Sequence, residues 1–145
     1  MTSRVMGCEL CELAASAKVV ANEKFSVILA EEPNYPGFAR VVWNGHVREM
    51  SDLLDADRLL LNEAVFKLEQ AVREAMQPLK VNVASLGNVV PHLHWHVIPR
   101  YADDAHFPAP VWAQAVRETP ADVLEQRRAL MPQLKQAIER KFAKQ

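Results

Sequence analysis

Residues 91–100 read PHLHWHVIPR. Three of the five histidines, His92, His94 and His96, occupy alternate positions, and Leu93, Trp95 and Val97 fill the gaps. Strict alternation is the period of a β-strand, whose successive side chains point to opposite faces. A strand over 92–98 is therefore expected, with three imidazoles on one face and an apolar face turned to a core. Pro99 is expected to stop it. The outer two histidines of such a row lie roughly 13 Å apart at Cα. One metal with bonds of about 2 Å can hold two neighbours of the row but hardly all three. Chemistry on phosphorus suits the row better. A neutral ring nitrogen is basic enough to attack phosphorus and leaves again from a phosphoramidate. A flanking imidazole can donate a hydrogen bond to phosphate oxygens. His94, with help on both sides, is the natural nucleophile.

The rest of the chain reads as one domain over 1–145. Half of its residues are hydrophobic and 24% are charged, an ordinary globular balance. The net charge of −1 gives no reason to expect duplex nucleic acid as a partner. No apolar run is long enough to cross a bilayer. The start, MTSRVMGCELCELAAS, places Glu9 and Glu12 where a signal peptide would be apolar, so a cytoplasmic location is expected. In a reducing compartment the C-x-x-C spacing of Cys8 and Cys11 suggests a metal or redox pair more than a disulfide. Two ordinary cysteines near a helix start would fit that spacing equally well.

KFSVILA (24–30) and ARVVWN (39–44) have strand composition and flank a turn-rich connection, EEPNYPG, so an antiparallel pair is expected. Ser51 or Asp55 can cap a helix running to about Gln77, with Leu61, Ala64, Val65, Leu68, Val72 and Met76 on one face and Pro78 ending it. VNVASL (81–86) reads as a strand, followed by a short connector at Gly87. Residues 101–112 look irregular, with His106 facing solvent. Thr119-Pro120-Ala121-Asp122 is a helix start, and Pro132 is expected to kink or split that last helix. Val123, Leu130, Leu134 and Ile138 can face the core, as can Trp43 and Trp95. The element order gives an α+β fold with an antiparallel sheet.

The run His-Leu-His-Trp-His-Val-Ile resembles the histidine triad, or HIT, motif: His-apolar-His-apolar-His-apolar-apolar. PGFARVVWNGHVREMSDL (36–53) resembles that family's segment before its central helix. NVASLGNVVPHLHWHVIPRYADDAHFPAPVW resembles a bacterial branch similar to diadenosine polyphosphate hydrolases. The resemblance covers about residues 8–112, and leaves a C-terminal helical extension, about 119–144, outside it. It implies an antiparallel sheet of about five strands with a central helix, commonly a homodimer. It implies hydrolysis or transfer of a nucleotidyl group at the α-phosphate through a covalent nucleotidyl-histidine, with no divalent ion needed for the chemistry. His94 then matches the nucleophile. His96 matches a phosphate-contacting histidine that can also protonate the leaving group, and His92 matches the first, supporting histidine. Asn88, after Gly87, stands where the family often has Gln and could bind a phosphate oxygen. Trp112, in the tail after the triad strand, could close over the phosphate or base, or equally pack against the sheet edge or a dimer partner.

Three positions depart from the pattern. The family's histidine after Pro-Gly is Phe38 here, which leaves tautomer control to another group. The usual Ser or Thr after Gly-Gln is Val89. The residue that holds the ribose hydroxyls falls at Ala30, with Glu31 available as a substitute. Some bacterial members also carry an N-terminal C-x-x-C that holds zinc with two histidines. The matching residues are Cys8, Cys11, His46 and His92, a Cys₂His₂ set suited to a structural tetrahedral site. Dinucleoside polyphosphates and nucleoside phosphoramidates are the expected substrates. A nucleotide- or zinc-binding module that retains the fold without turnover is the competing expectation.

Overall fold

A computed structural model describes residues 3–143; Lys144, the last residue of the expected C-terminal extension, lies outside them. Five strands form one antiparallel sheet in the order β1-β2-β3-β5-β4: β1 (Lys18–Ala21), β2 (Phe25–Leu29), β3 (Ala39–Trp43), β4 (Lys80–Ala84) and β5 (His94–Arg100). Helix α1 (Asp55–Met76) links β3 to β4, and α2 (Ala121–Arg128) and α3 (Met131–Phe142) end the described chain. The α+β class and the antiparallel β2–β3 pair are as the sequence predicts. Strand β1 is unanticipated, because KVVA is too short to show a period.

One face of the sheet carries the main core. Val27, Val41 and Val97 meet Leu61, Leu68 and Val72 of α1 and Leu134 and Ile138 of α3, all fully buried. Alternation sends the other residues of these strands, Arg40 and Val42 on β3 and His94, His96 and Ile98 on β5, to the opposite face. Trp43 is buried in the core and Trp95 packs half-buried against it. Neither Ser51 nor Asp55 caps α1: Ser51 lies in a short 3-10 turn and Asp55 is the first helical residue, bonded to Arg58. Gln77, at φ +48°, ends the helix before Pro78. Thr119 is no cap either, since its hydroxyl donates to the Asp103 carbonyl at 2.8 Å. The last helix is split rather than kinked, with Pro132 in the first turn of α3 where its missing N–H costs nothing.

Strand β5 is shifted from its expected span. It starts at His94, because the His92 N–H turns back to the Val90 carbonyl. It also runs through Pro99 to Arg100. The Leu93 carbonyl bonds to Trp43 of β3 and the Arg100 carbonyl to Leu79 beside β4, so odd residues point their backbone groups toward β3. That strand ends opposite Val97, so the absent N–H of Pro99 faces no ladder partner.

Beyond β5 the chain is irregular but fixed. Arg100 and Asp104 are both buried. The Arg100 guanidinium donates to both Asp104 oxygens at 2.8 and 3.1 Å, to Asn82 at 2.7 Å and to the Ala109 carbonyl at 2.7 Å. Asp104 also accepts the N–H groups of Tyr101, His106 and Phe107 and the Tyr35 hydroxyl. His106 is not simply solvent-facing: its Nδ1 lies 2.6 Å from the Tyr35 hydroxyl and the two rings stack. Burial would raise the Asp104 pKa, but Arg100 and the three N–H donors outweigh it and hold the carboxyl well below its usual range.

Asp104→Asn keeps the shape and breaks the ion pair, and should cost about 3–5 kcal/mol in urea denaturation. Because the native pKa is depressed, the carboxylate's stabilisation is complete above the unfolded value of about 3.9 and fades as pH falls below it. The variant should lose that part of the acid sensitivity.

Candidate active site

The face opposite the helices opens into a cavity of about 640 Å³. Arg40, His94 and His96 form its floor, the 86–90 connector one wall, Pro110 and Trp112 another, and Glu9 and Leu10 its N-terminal edge. Cross-strand register builds the floor: Arg40 and Ala84 lie opposite His96, and Val42 lies opposite His94. The buried Arg100–Asp104 pair holds the loop that brings Trp112 to within 5.1 Å of the His96 ring, ring centre to ring centre.

Each imidazole has its protons assigned by its neighbour. The Nδ1 of His94 lies 2.5 Å from the His92 carbonyl oxygen. A carbonyl can only accept, so Nδ1 carries the proton and Nε2 keeps its lone pair. Burial, aided by the Arg40 charge, holds the His94 pKa below the ordinary imidazole value, against the pull of the His92 carbonyl and Glu9. For His96 the order is reversed. Arg40 Nε donates to its Nδ1 at 3.2 Å, so the ring proton sits on Nε2. Burial first, then the His94 and Arg40 charges, push its pKa down to about 4. Phe38 meets the edge of His96 at 5.6 Å, so the position that lacks the family's histidine supplies packing while Arg40 supplies the hydrogen bond.

His92 does not share the cavity. The chain bends before β5, and the fully buried His92 ring points its Nε2 at the Trp43 carbonyl, 2.5 Å away. Its Nδ1 lone pair then faces Cys8 Sγ at 3.5 Å and Cys11 Sγ at 3.4 Å. His46 Nδ1 lies 3.4 Å from Cys11 Sγ. Among the described residues, Cys8, Cys11, His46 and His92 bring four ligand atoms within 4.8 Å of one another. A tetrahedral zinc with thiolate and imidazole ligands separates them by about 3.3–3.8 Å, so the donor set and the three sulfur–nitrogen contacts at 3.4–3.5 Å fit a zinc ion. The expected row of three is thus divided, two rings to the cavity and one to the cysteines.

Gly87, at φ +78°, turns the connector, and with Asn88 and Val89 it lines the cavity. Trp112 lines it too, half-exposed. Glu31 does not line it: alternation carried past β2 turns Ala30 inward against Tyr35, Phe38 and Ile98 and leaves Glu31 exposed. Sequence reasoning missed Arg40 and Glu9. The signal for Arg40 was a single charge within the apolar run ARVVW, in phase with Phe38.

The HIT domain family model matches residues 13–103. "Protein hit" of Bacillus subtilis is 29% identical over 114 residues, covering 72% of this chain and 78% of that protein. "AP-4-A phosphorylase" of Mycobacterium tuberculosis is 31% identical over 96 residues, 61% of this chain, which spans only 49% of that protein. A histidine triad protein from Bradyrhizobium japonicum superposes with a TM-score of 0.70 at 26% identity, covering 87% of this chain and 96% of that one. A Zn-bound histidine triad family protein from Mycobacterium smegmatis has a TM-score of 0.64 at 20% identity, covering 97% and 99%, a likeness of fold. With its family model spanning most of the sheet and both cavity histidines, this chain belongs to the HIT domain family.

Proposed function

We propose that the protein is a nucleotide hydrolase or nucleotidyltransferase in which His94 Nε2 attacks the α-phosphorus. The observation that carries this reading is the contact of His94 Nδ1 with the His92 carbonyl oxygen, from which it follows that Nδ1 holds the proton and Nε2 is left bare beside the cavity. Attack makes an N–P bond and a cationic ring, and the His92 carbonyl stabilises that charge through Nδ1–H. His96 Nε2–H and Asn88 hold phosphate oxygens, Gly87 shapes the loop, and Trp112 covers the base. Water then displaces the ring nitrogen and releases the nucleoside monophosphate. Dinucleoside polyphosphates and nucleoside phosphoramidates are the substrate classes, supported for the first by the resemblance to a protein named for AP-4-A. Val89 and the exposed Glu31 favour a second reading, a nucleotide-binding module without turnover, since neither offers the expected contact.

We also propose that Cys8, Cys11, His46 and His92 hold a structural zinc ion, and that the chain is a homodimer. Zinc would supply a rigid anchor for His92 and takes no part in bond making. Exposed Leu59 and Phe66, one above the other on α1, and Val83 on the edge strand β4 support the dimer.

Incubated with diadenosine tetraphosphate, the protein should release AMP. His94→Ala should lower kcat at least about 10³-fold with an unchanged melting temperature. Persistent turnover in that variant would exclude His94 as nucleophile. Metal analysis after purification without chelator should find one zinc per chain, and Cys8→Ser/Cys11→Ser none. Zinc at 1,000 times its dissociation constant should stabilise the fold by about 4 kcal/mol. Light scattering of the purified protein should return twice the 16.4 kDa chain mass.

A further inference from the structure

Arg40 is an unusual residue for the floor of a cavity. It sits on β3 directly opposite His96, between Phe38 and Val42 on the same face, and is only partly exposed. Its guanidinium carbon lies 5.3 Å from the centre of the Phe38 ring. Among the described residues its one hydrogen bond is Nε to His96 Nδ1, and no carboxylate reaches it as an ion pair. Glu9 lines the same cavity, and Glu9 and Glu32 act on Arg40 only through their fields. Two terminal nitrogens of a partly buried cation are therefore left for a ligand, and the ligand that satisfies them is an anion.

The same residue removes a proton source. Arg40 stays protonated and donates to Nδ1, so His96 can hold its only proton on Nε2. Giving that proton away would leave an imidazolate. His96 is thereby a hydrogen-bond donor to phosphate oxygens and not a general acid.

We propose that Arg40 sets the substrate class of this site: it holds His96 as a neutral Nε2–H donor and receives an anionic polyphosphate leaving group on its free guanidinium edge, so that P–O bonds to polyphosphate are cleaved in preference to P–N bonds. The proposal rests on the nucleotidyl reading above. In the favoured step the His94 Nε2 lone pair forms the N–P bond. The P–O bond to the bridging oxygen breaks, and its electron pair leaves on the terminal phosphate of a nucleoside polyphosphate. No proton need accompany it, because a terminal phosphate ionises at a pKa of about 6 and Arg40 neutralises the charge. Water then forms the new P–O bond and loses its proton to solvent, and the N–P electron pair returns to His94. An amine leaving group must instead gain a proton as the P–N bond breaks, and no group on the cavity floor is set to give one.

The test compares kcat/KM for diadenosine tetraphosphate and adenosine 5′-phosphoramidate in the full chain. The unaltered protein should favour the polyphosphate by at least about tenfold. Arg40→Met should lower polyphosphate cleavage roughly 10- to 100-fold while phosphoramidate cleavage holds or rises, and Arg40→Lys should keep much of the polyphosphate rate. A second readout does not depend on turnover: long-range ¹H–¹⁵N spectra should place the His96 proton on Nε2 with Nδ1 bare, a pattern that Arg40→Met loses. Protonated Nδ1 in the unaltered protein overturns the proposal. If both nucleotides are turned over in a ratio that Arg40→Met leaves unchanged, the proposal falls and the nucleotidyl reading stands. If neither is turned over, the nucleotidyl reading fails and the substrate class falls with it.

Discussion

The His92 carbonyl is the group on which the site turns. It accepts the Nδ1–H of His94 and so decides which nitrogen of that ring is bare. A carbonyl can occupy that place only because the chain bends at His92 instead of continuing the strand. In an unbroken strand from 92 to 98 the carbonyl would lie in the ladder and a third imidazole would crowd the cavity. The bend converts three equivalent histidines into three different ones: a bare Nε2 at His94, an Nε2–H at His96, and a bare Nδ1 at His92 turned away from both.

This couples the two clusters through one residue. The His92 ring is wedged between the Trp43 carbonyl and the sulfurs of Cys8 and Cys11, while its own carbonyl holds His94. Whatever fixes the ring therefore fixes the carbonyl. The cysteine cluster lies outside the cavity lining, yet its rigidity bears on the orientation of the proposed nucleophile. On the far side the Arg100–Asp104 pair does the comparable work for Trp112. The Arg100–Asp104 pair is fully buried and costly to leave half-paired, whereas in the cysteine cluster only His92 is buried.

Much of this was legible in the chain. Period-2 alternation identified β5, period-3.6 spacing identified α1, and turn residues bounded β2 and β3. The triad pattern led to the cavity, and the family resemblance, not the C-x-x-C spacing alone, joined His46 and His92 to the two cysteines. What was not legible depends on backbone hydrogen bonds that side-chain patterns do not encode. Alternation continues through His92 although the ladder does not, so the pattern alone puts the start of β5 two residues early. Pro99 reads as a stop, yet its tolerance depends on where β3 ends. Arg40 acquires meaning only from its register against His96. The motif position itself falls at Ala30, with Glu31 only its neighbouring substitute, and the alternation beyond β2 that turns Ala30 inward leaves Glu31 exposed. Asp104 lies in a segment that reads only as irregular, and nothing in the side-chain pattern signals its pairing with buried Arg100.

The central claim is that His94 reacts through Nε2 because the His92 carbonyl occupies Nδ1. Its most direct test is acid-free quenching of single turnovers of a ³¹P-observable nucleotide on ¹⁵N-histidine-labelled protein, with the N–P coupling used to locate the phosphorus. The account predicts a transient nucleotidyl group on His94 Nε2. Phosphorus on Nδ1, on another residue, or on no residue while product accumulates would contradict it.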